Sequence, residues 1–288
     1  MNSASAAHGT LIEFPLRLIS DLDEVCLAED IYIRRIDDAS RSRILGIEKV
    51  VLDENGRLKS YVARTQVDPL GALMGPDLDL YDELYSSNYV AALPVHEDAF
   101  HLNFALKLLG PSCSSLFIGC GQPGTKHFLS PPCYYGHSPL VIGASEAKTL
   151  SRLLALKRKS KDPKLELMAE MFLYAFSVAP RKESRFVELS IILEMLLLPT
   201  SSAELSYRFA LRMAKFLAKH WAADPIESFK VAQEIYKTRS RLVHSGGDKS
   251  LPQIVPKIEE AVRQLLTTYL TNPELYQDSA LDHLCIAG

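Results

Sequence analysis

The chain has 288 residues, with 32 Lys+Arg against 35 Asp+Glu and a formal net charge of −3. That balance removes any global electrostatic case for nucleic acid, so an RNA- or DNA-binding surface has to be a local patch. A hydrophobic share of 47% predicts a packed core and excludes wholesale disorder.

Five cysteines (26, 113, 120, 133 and 285) are an odd number with no CxxC spacing. That favours reduced thiols in a cytoplasm. Met1-Asn-Ser-Ala-Ser-Ala-Ala-His8 has no basic region followed by an apolar run, so no signal peptide is expected. No membrane partner is expected either. The most apolar run, Ile191 to Leu198, is broken by Glu194 and ended by Pro199.

Residues 10–65 read as strands. Asp30 to Ile36 partly alternates, and Lys49-Val-Val-Leu52 and Leu58 to Ala63 flank a hairpin-type turn at Asp53-Glu-Asn-Gly56. Residues 66–92 carry many Asp, Gly and Pro and read as loop or short helix. A helix follows from about His96 to Leu109, with acids in its first turn and Gly110-Pro111 as its stop. Ser114 to Ile118 reads as a buried strand, 119–139 as irregular chain, and Leu140 to Gly143 as a short strand. Helix takes over from about Ser145. The predicted organisation is an α+β domain over 1–145, a linking helix and junction over 146–162, and an all-α helical domain over 163–288.

Five helices are expected in the C-terminal half: about 163–177, 183–198, 203–221, 226–243 and 253–271. Pro163 and Pro225 suit first turns. The second of these helices is apolar on nearly every side and should be central. The third divides into a buried stripe (Leu205, Phe209, Met213, Phe216, Trp221) and a basic face (Arg208, Arg212, Lys215, Lys219). The plainer reading of that face is a solvated surface, and the functional one a phosphate-backbone track. The fourth helix carries an apolar stripe of Ile226, Phe229, Ala232, Ile235, Tyr236, Leu242 and Val243.

Two patterns in the middle of the chain carry little. Gly119-Cys-Gly-Gln-Pro-Gly124 matches GxGxxG, but Pro123, Pro131 and Pro132 oppose the helix a dinucleotide fingerprint needs. Cys120, His127, Cys133 and His137 match no common zinc spacing.

Arg239 and His244 are the candidate catalytic pair. Arg239 lies at i+4 from Ile235 and i+3 from Tyr236, so it points where the apolar face points. A guanidinium there cannot shed its charge and needs an anion. Glu194, set among Ile191, Ile192, Leu193, Met195 and Leu196, needs a cation or several donors. Its plainer reading is a snorkelling acid at the helix edge, and its sharper one a partner within hydrogen-bonding reach of Arg239, which is the expectation. His244 falls after the last predicted turn, just before Gly246-Gly247. The plainer reading of the pair is a helix C-cap, where cations suit the dipole.

Three segments carry a family resemblance. They are Glu188-Leu-Ser-Ile-Ile-Leu-Glu194-Met-Leu-Leu, Glu204-Leu-Ser-Tyr-Arg208-Phe-Ala-Leu-Arg212-Met-Ala, and Ile235-Tyr-Lys-Thr-Arg239-Ser-Arg-Leu-Val-His244-Ser-Gly. Over roughly 160–275 the chain resembles the HEPN superfamily and, within it, the Apea-like group, with the motif on the penultimate helix. The resemblance implies a helical bundle and a metal-independent endoribonuclease whose Arg-x4–6-His motif is the active site. Those roles fall on Arg239 and His244, with Glu194 and the polar Ser240 in support. Arg208, Arg212, Lys215, Lys219 and Arg241 would contact RNA. It further implies 2′,3′-cyclic phosphate and 5′-OH ends, no cofactor and no metal. The implied partners are RNA, a second copy docked through the C-terminal helices, and a regulatory protein. The implied setting is toxin–antitoxin or antiviral defence. The rival is a catalytically silent dimerisation or nucleic-acid-binding module.

Overall fold

The computed structural model describes residues 12–16, 18–36, 47–52, 54, 58–63, 88–110, 139–177, 181–200, 204–245 and 248–287. The predicted strand at 114–118, the GxGxxG loop, the Cys/His group at 120–137 and the Gly246-Gly247 stop lie outside them. The chain divides into two compact units, 1–158 and 159–288. The first mixes strands and helices, and the second is helical.

The first unit is organised on a four-stranded antiparallel sheet of β1 (Ile12–Leu16), β7 (Tyr89–Leu93), β4 (Ile31–Arg35) and β3 (Glu24–Ala28), in that spatial order. The strand β7 corrects the loop reading over 89–92, residues 66–87 lying outside the described residues. Its five residues are buried throughout, as befits a central strand covered on both faces. A two-residue β2 (Leu18–Ile19) pairs in parallel with β8 (Leu140–Val141). Asn88 clamps β2, its side chain bonding both the N–H and the carbonyl of Leu18 at 3.0 and 2.7 Å. The hairpin of β5 (Ile47–Leu52) and β6 (Leu58–Ala63) forms where the turn signal placed it.

Helix α1 (His96–Leu109) follows β7. Helix α2 (Ala144–Lys159), read from the sequence as a linker, is built into this unit almost to its end. Ser151 Oγ donates to the Leu27 carbonyl at 2.6 Å, and Arg158 forks onto Asp30 at 3.0 and 3.1 Å while its Nε reaches buried Asp98 at 2.9 Å. Burial pushes the Asp98 carboxyl up, and Arg158 and His101 oppose that push.

The second unit holds α3 (Pro163–Ser177), α4 (Lys182–Leu197), α5 (Leu205–Trp221), α6 (Pro225–Ser245), α7 (Leu251–Thr271), a 3-10 turn (Pro273–Tyr276) and α8 (Asp278–Ala287). Helix α4 is the hub, packing against α3, α5, α6 and α7. It buries Phe186, Leu189, Ile192, Leu193, Leu196 and Leu197. Burial of these side chains at ~1.5–3 kcal/mol each is the main force assembling the unit. One charge goes in with them. Arg185 donates to Glu259 of α7 at 2.8 Å and to the Ala175 carbonyl at 2.9 Å, both charged side chains being almost fully enclosed.

The buried stripe of α5 is Phe209, Met213, Phe216 and Leu217. Trp221 does not join it. The ring is 41% exposed and its Nε1–H donates to Thr268 Oγ1 at 3.0 Å. The sequence reading missed α8, which makes the motif helix third from the end rather than penultimate. Among the described residues, no helix is long and apolar enough to cross a membrane.

Candidate active site

Helix α6 carries the motif. Pro225 opens it with a φ already suited to the first turn, and Asp224 Oδ1 accepts the Glu227 N–H at 2.8 Å, satisfying one orphan donor. Ala232, Ile235, Thr238 and Leu242 form its buried stripe. Ile226 and Val243, assigned to that stripe from the sequence, are 67% and 63% exposed, because at ~100° per residue they lie about 180° and about 80° around the helix from Ile235.

Arg239 sits at the edge of the stripe. Its Nη2 lies 3.2 Å from Glu194 Oε2, with side-chain exposures of 34% and 25%. The expected pair therefore forms, tying α6 to α4. Burial raises the Glu194 carboxyl above its ordinary range, and the Arg239 charge only partly opposes this. The Arg239 Nε is buried with no hydrogen-bond partner among the described residues. The guanidinium is thus held at one nitrogen, with a second donor uncommitted.

His244 is exposed within the last turn of α6 rather than after it, since the helix continues to Ser245, two residues past the expected end. Five residues at ~100° each set the Arg239 and His244 directions about 140° apart, with a rise of ~7.5 Å. The two groups therefore do not converge within one chain. The His244 face is shared instead by Lys237, Ser240 and Arg241, at i−7, i−4 and i−3, all exposed. Lys237 was not singled out from the sequence, and its i−7 spacing was the available signal.

The expected RNA contacts divide. Arg241 is committed to a clamp. It bonds Glu234 at 2.8 Å, Thr238 Oγ1 at 2.9 Å, and Asp248, which in turn accepts from the Ser250 N–H and hydroxyl at the start of α7. Arg208 donates to both carboxylate oxygens of Asp282 at 3.0 Å. Arg212 is a correction to the solvated-face reading. It is 1% exposed and donates to the Leu197 carbonyl, Asp278 and Asp282 at 2.6, 2.8 and 2.6 Å. Lys219 is exposed. Lys215 borders an apolar hollow of about 290 Å³ with Leu211, Phe229 and Ile226. Asp278 and Asp282 escaped the sequence reading because their helix has only ten residues. The Leu281/Leu284/Cys285 spacing was its one signal.

No protein-family model, curated protein or solved structure matches this chain. An exposed imidazole can take or give a proton near neutral pH. A guanidinium oriented by a carboxylate and still one-third exposed can stabilise developing charge on a phosphoryl oxygen.

Proposed function

We propose that this protein is a metal-independent endoribonuclease of HEPN type, acting as an RNA-cleaving effector in toxin–antitoxin or antiviral defence. The observation that carries the reading is the arrangement on α6, where Arg239 is paired with Glu194 while a third of its side chain stays exposed, and His244 is open to solvent on the same helix. In this reading His244 handles the proton of the ribose 2′-OH as that oxygen attacks phosphorus. The bond from phosphorus to the 5′-oxygen breaks, and that oxygen leaves with a proton. Arg239 neutralises the phosphorane. The products are a 2′,3′-cyclic phosphate and a 5′-OH end. The ~140° divergence supports a homodimer through the helical unit, in which the motif faces of two copies line one cleft.

The test is incubation of purified protein with a total RNA pool, in the presence of EDTA, followed by mapping of the cut ends. Cyclic phosphate ends that disappear in His244→Ala support the reading, and intact RNA overturns it. The second reading is a catalytically silent dimerisation or nucleic-acid-binding module; its dimerisation side is favoured by the carboxylate partners that Arg208, Arg212 and Arg241 already hold.

A further inference from the structure

The basic face of α5 is half covered from within the chain. Arg208, Arg212, Lys215 and Lys219 follow spacings of four, three and four, which keeps them within about 60° of one another around the helix. Lys215 and Lys219 make no ion pair among the described residues, whereas Arg208 and Arg212 are occupied by Asp278 and Asp282 of α8. The Arg212 and Arg208 guanidinium groups hold the Asp282 carboxyl below its ordinary range, so it stays ionised against them. The apolar hold on α8 is small. Leu281 is fully buried, Leu284 and Cys285 are half-buried, and Ile286 is 85% exposed. The helix is thus held by Leu281, by the Thr200 hydroxyl donating to Asp278, and by ionic contacts to the groups an anionic polymer would seek.

We propose that α8 is a displaceable strap, and that an RNA backbone landing on Lys215 and Lys219 competes with Asp278 and Asp282 for Arg208 and Arg212. The proposal rests on RNA as the ligand of the preceding reading and not on cleavage. Phosphates extend the track by two arginines as α8 leaves, so the carboxylates of α8 set a threshold that weak or short anions do not pass.

The experiment uses the full chain and a fluorescent 2′-O-methyl oligoribonucleotide of ~20 nucleotides, which has no 2′-OH to attack. Asp282→Asn is expected to tighten binding about 3- to 10-fold at moderate salt. It should also steepen the log K against log salt slope by ~0.7 for each arginine freed. Arg208→Ala in the Asp282→Asn background should take back much of the gain. Independently of any variant, amides of residues 278–287 in the wild-type chain should exchange faster when the oligonucleotide is bound. Equal or weaker binding by Asp282→Asn, no binding by either protein, or α8 amides that stay as protected on binding would each overturn the strap. If α8 is released but natural RNA stays intact, the cleavage reading fails and the strap stands. Cleavage with α8 static gives the converse.

Discussion

Removing the Arg239 side chain should do two separable things, and the structure sets the size of the first. At 3.2 Å, the Arg239–Glu194 attraction is worth roughly 1 to 5 kcal/mol before desolvation, for effective dielectrics between about 80 and 20. Exposures of 34% and 25% place the pair between surface bridges, at ~0.2–1 kcal/mol, and buried ones, whose rupture costs ~3–5 kcal/mol. Arg239→Ala should therefore destabilise the helical unit by about 2 kcal/mol, because it strands a half-buried carboxylate. Glu194→Gln should cost about 1 kcal/mol. The double variant should be less destabilised than the sum by about 1 kcal/mol. Urea unfolding followed by Trp221 fluorescence reads this directly, since Trp221 is the one tryptophan in the chain and belongs to the helical unit. Additivity within ~0.3 kcal/mol would refute the coupling. The pH dependence carries a sign. The Glu194 carboxyl is already raised, and losing Arg239 raises it further. Protonation then relieves the stranded charge, so the penalty of Arg239→Ala should shrink as pH falls from 7 towards ~5.

Three further outcomes follow from other parts of the molecule. Arg185→Leu should cost about 3–5 kcal/mol in the same urea assay, whereas Arg185→Leu with Glu259→Leu should cost far less, because the first leaves a buried charge and the second does not. Ala222 ends α5 with φ 52 and ψ 28, a left-handed conformation that a Cβ disfavours, so Ala222→Gly should stabilise by ~0.5–1 kcal/mol in thermal unfolding, and a loss would contradict the account. Asp248 is held down to about 2 by the Ser250 hydroxyl and then by Arg241. Its contribution to stability is present above the unfolded carboxylate value of ~3.9 and is lost as pH falls through about 2. Carboxyl carbon NMR should find that midpoint, and a midpoint of ~3.5 or higher would count against the clamp.

How far the residues themselves disclosed this molecule differs by segment. The helical unit was legible because 3.6-residue periodicity, Pro163 and Pro225 all agree on where its helices run. Glu194 and Arg239 were legible as a pair because each is a charge on an otherwise apolar surface, and burial forces such groups together. The strand β7 was not, since Tyr89-Val-Ala-Ala-Leu93 is apolar on both faces and shows no alternation. Arg212 misled for a different reason. Its spacing with Arg208, Lys215 and Lys219 describes a face, but the partners that bury it come 66 and 70 residues later, on a helix too short to announce itself.

The most direct test of the central claim is the rate at which wild-type protein, His244→Ala and Arg239→Lys cut one defined RNA at neutral pH in EDTA. The account predicts metal-independent cleavage leaving 2′,3′-cyclic phosphate ends. His244→Ala should fall by ~10² or more with its fold and oligomeric state intact. Arg239→Lys should fail to recover activity, since an ammonium does not reproduce the guanidinium fork. Wild-type rates in both variants, or cleavage that vanishes with chelation and returns with one added metal, would contradict it.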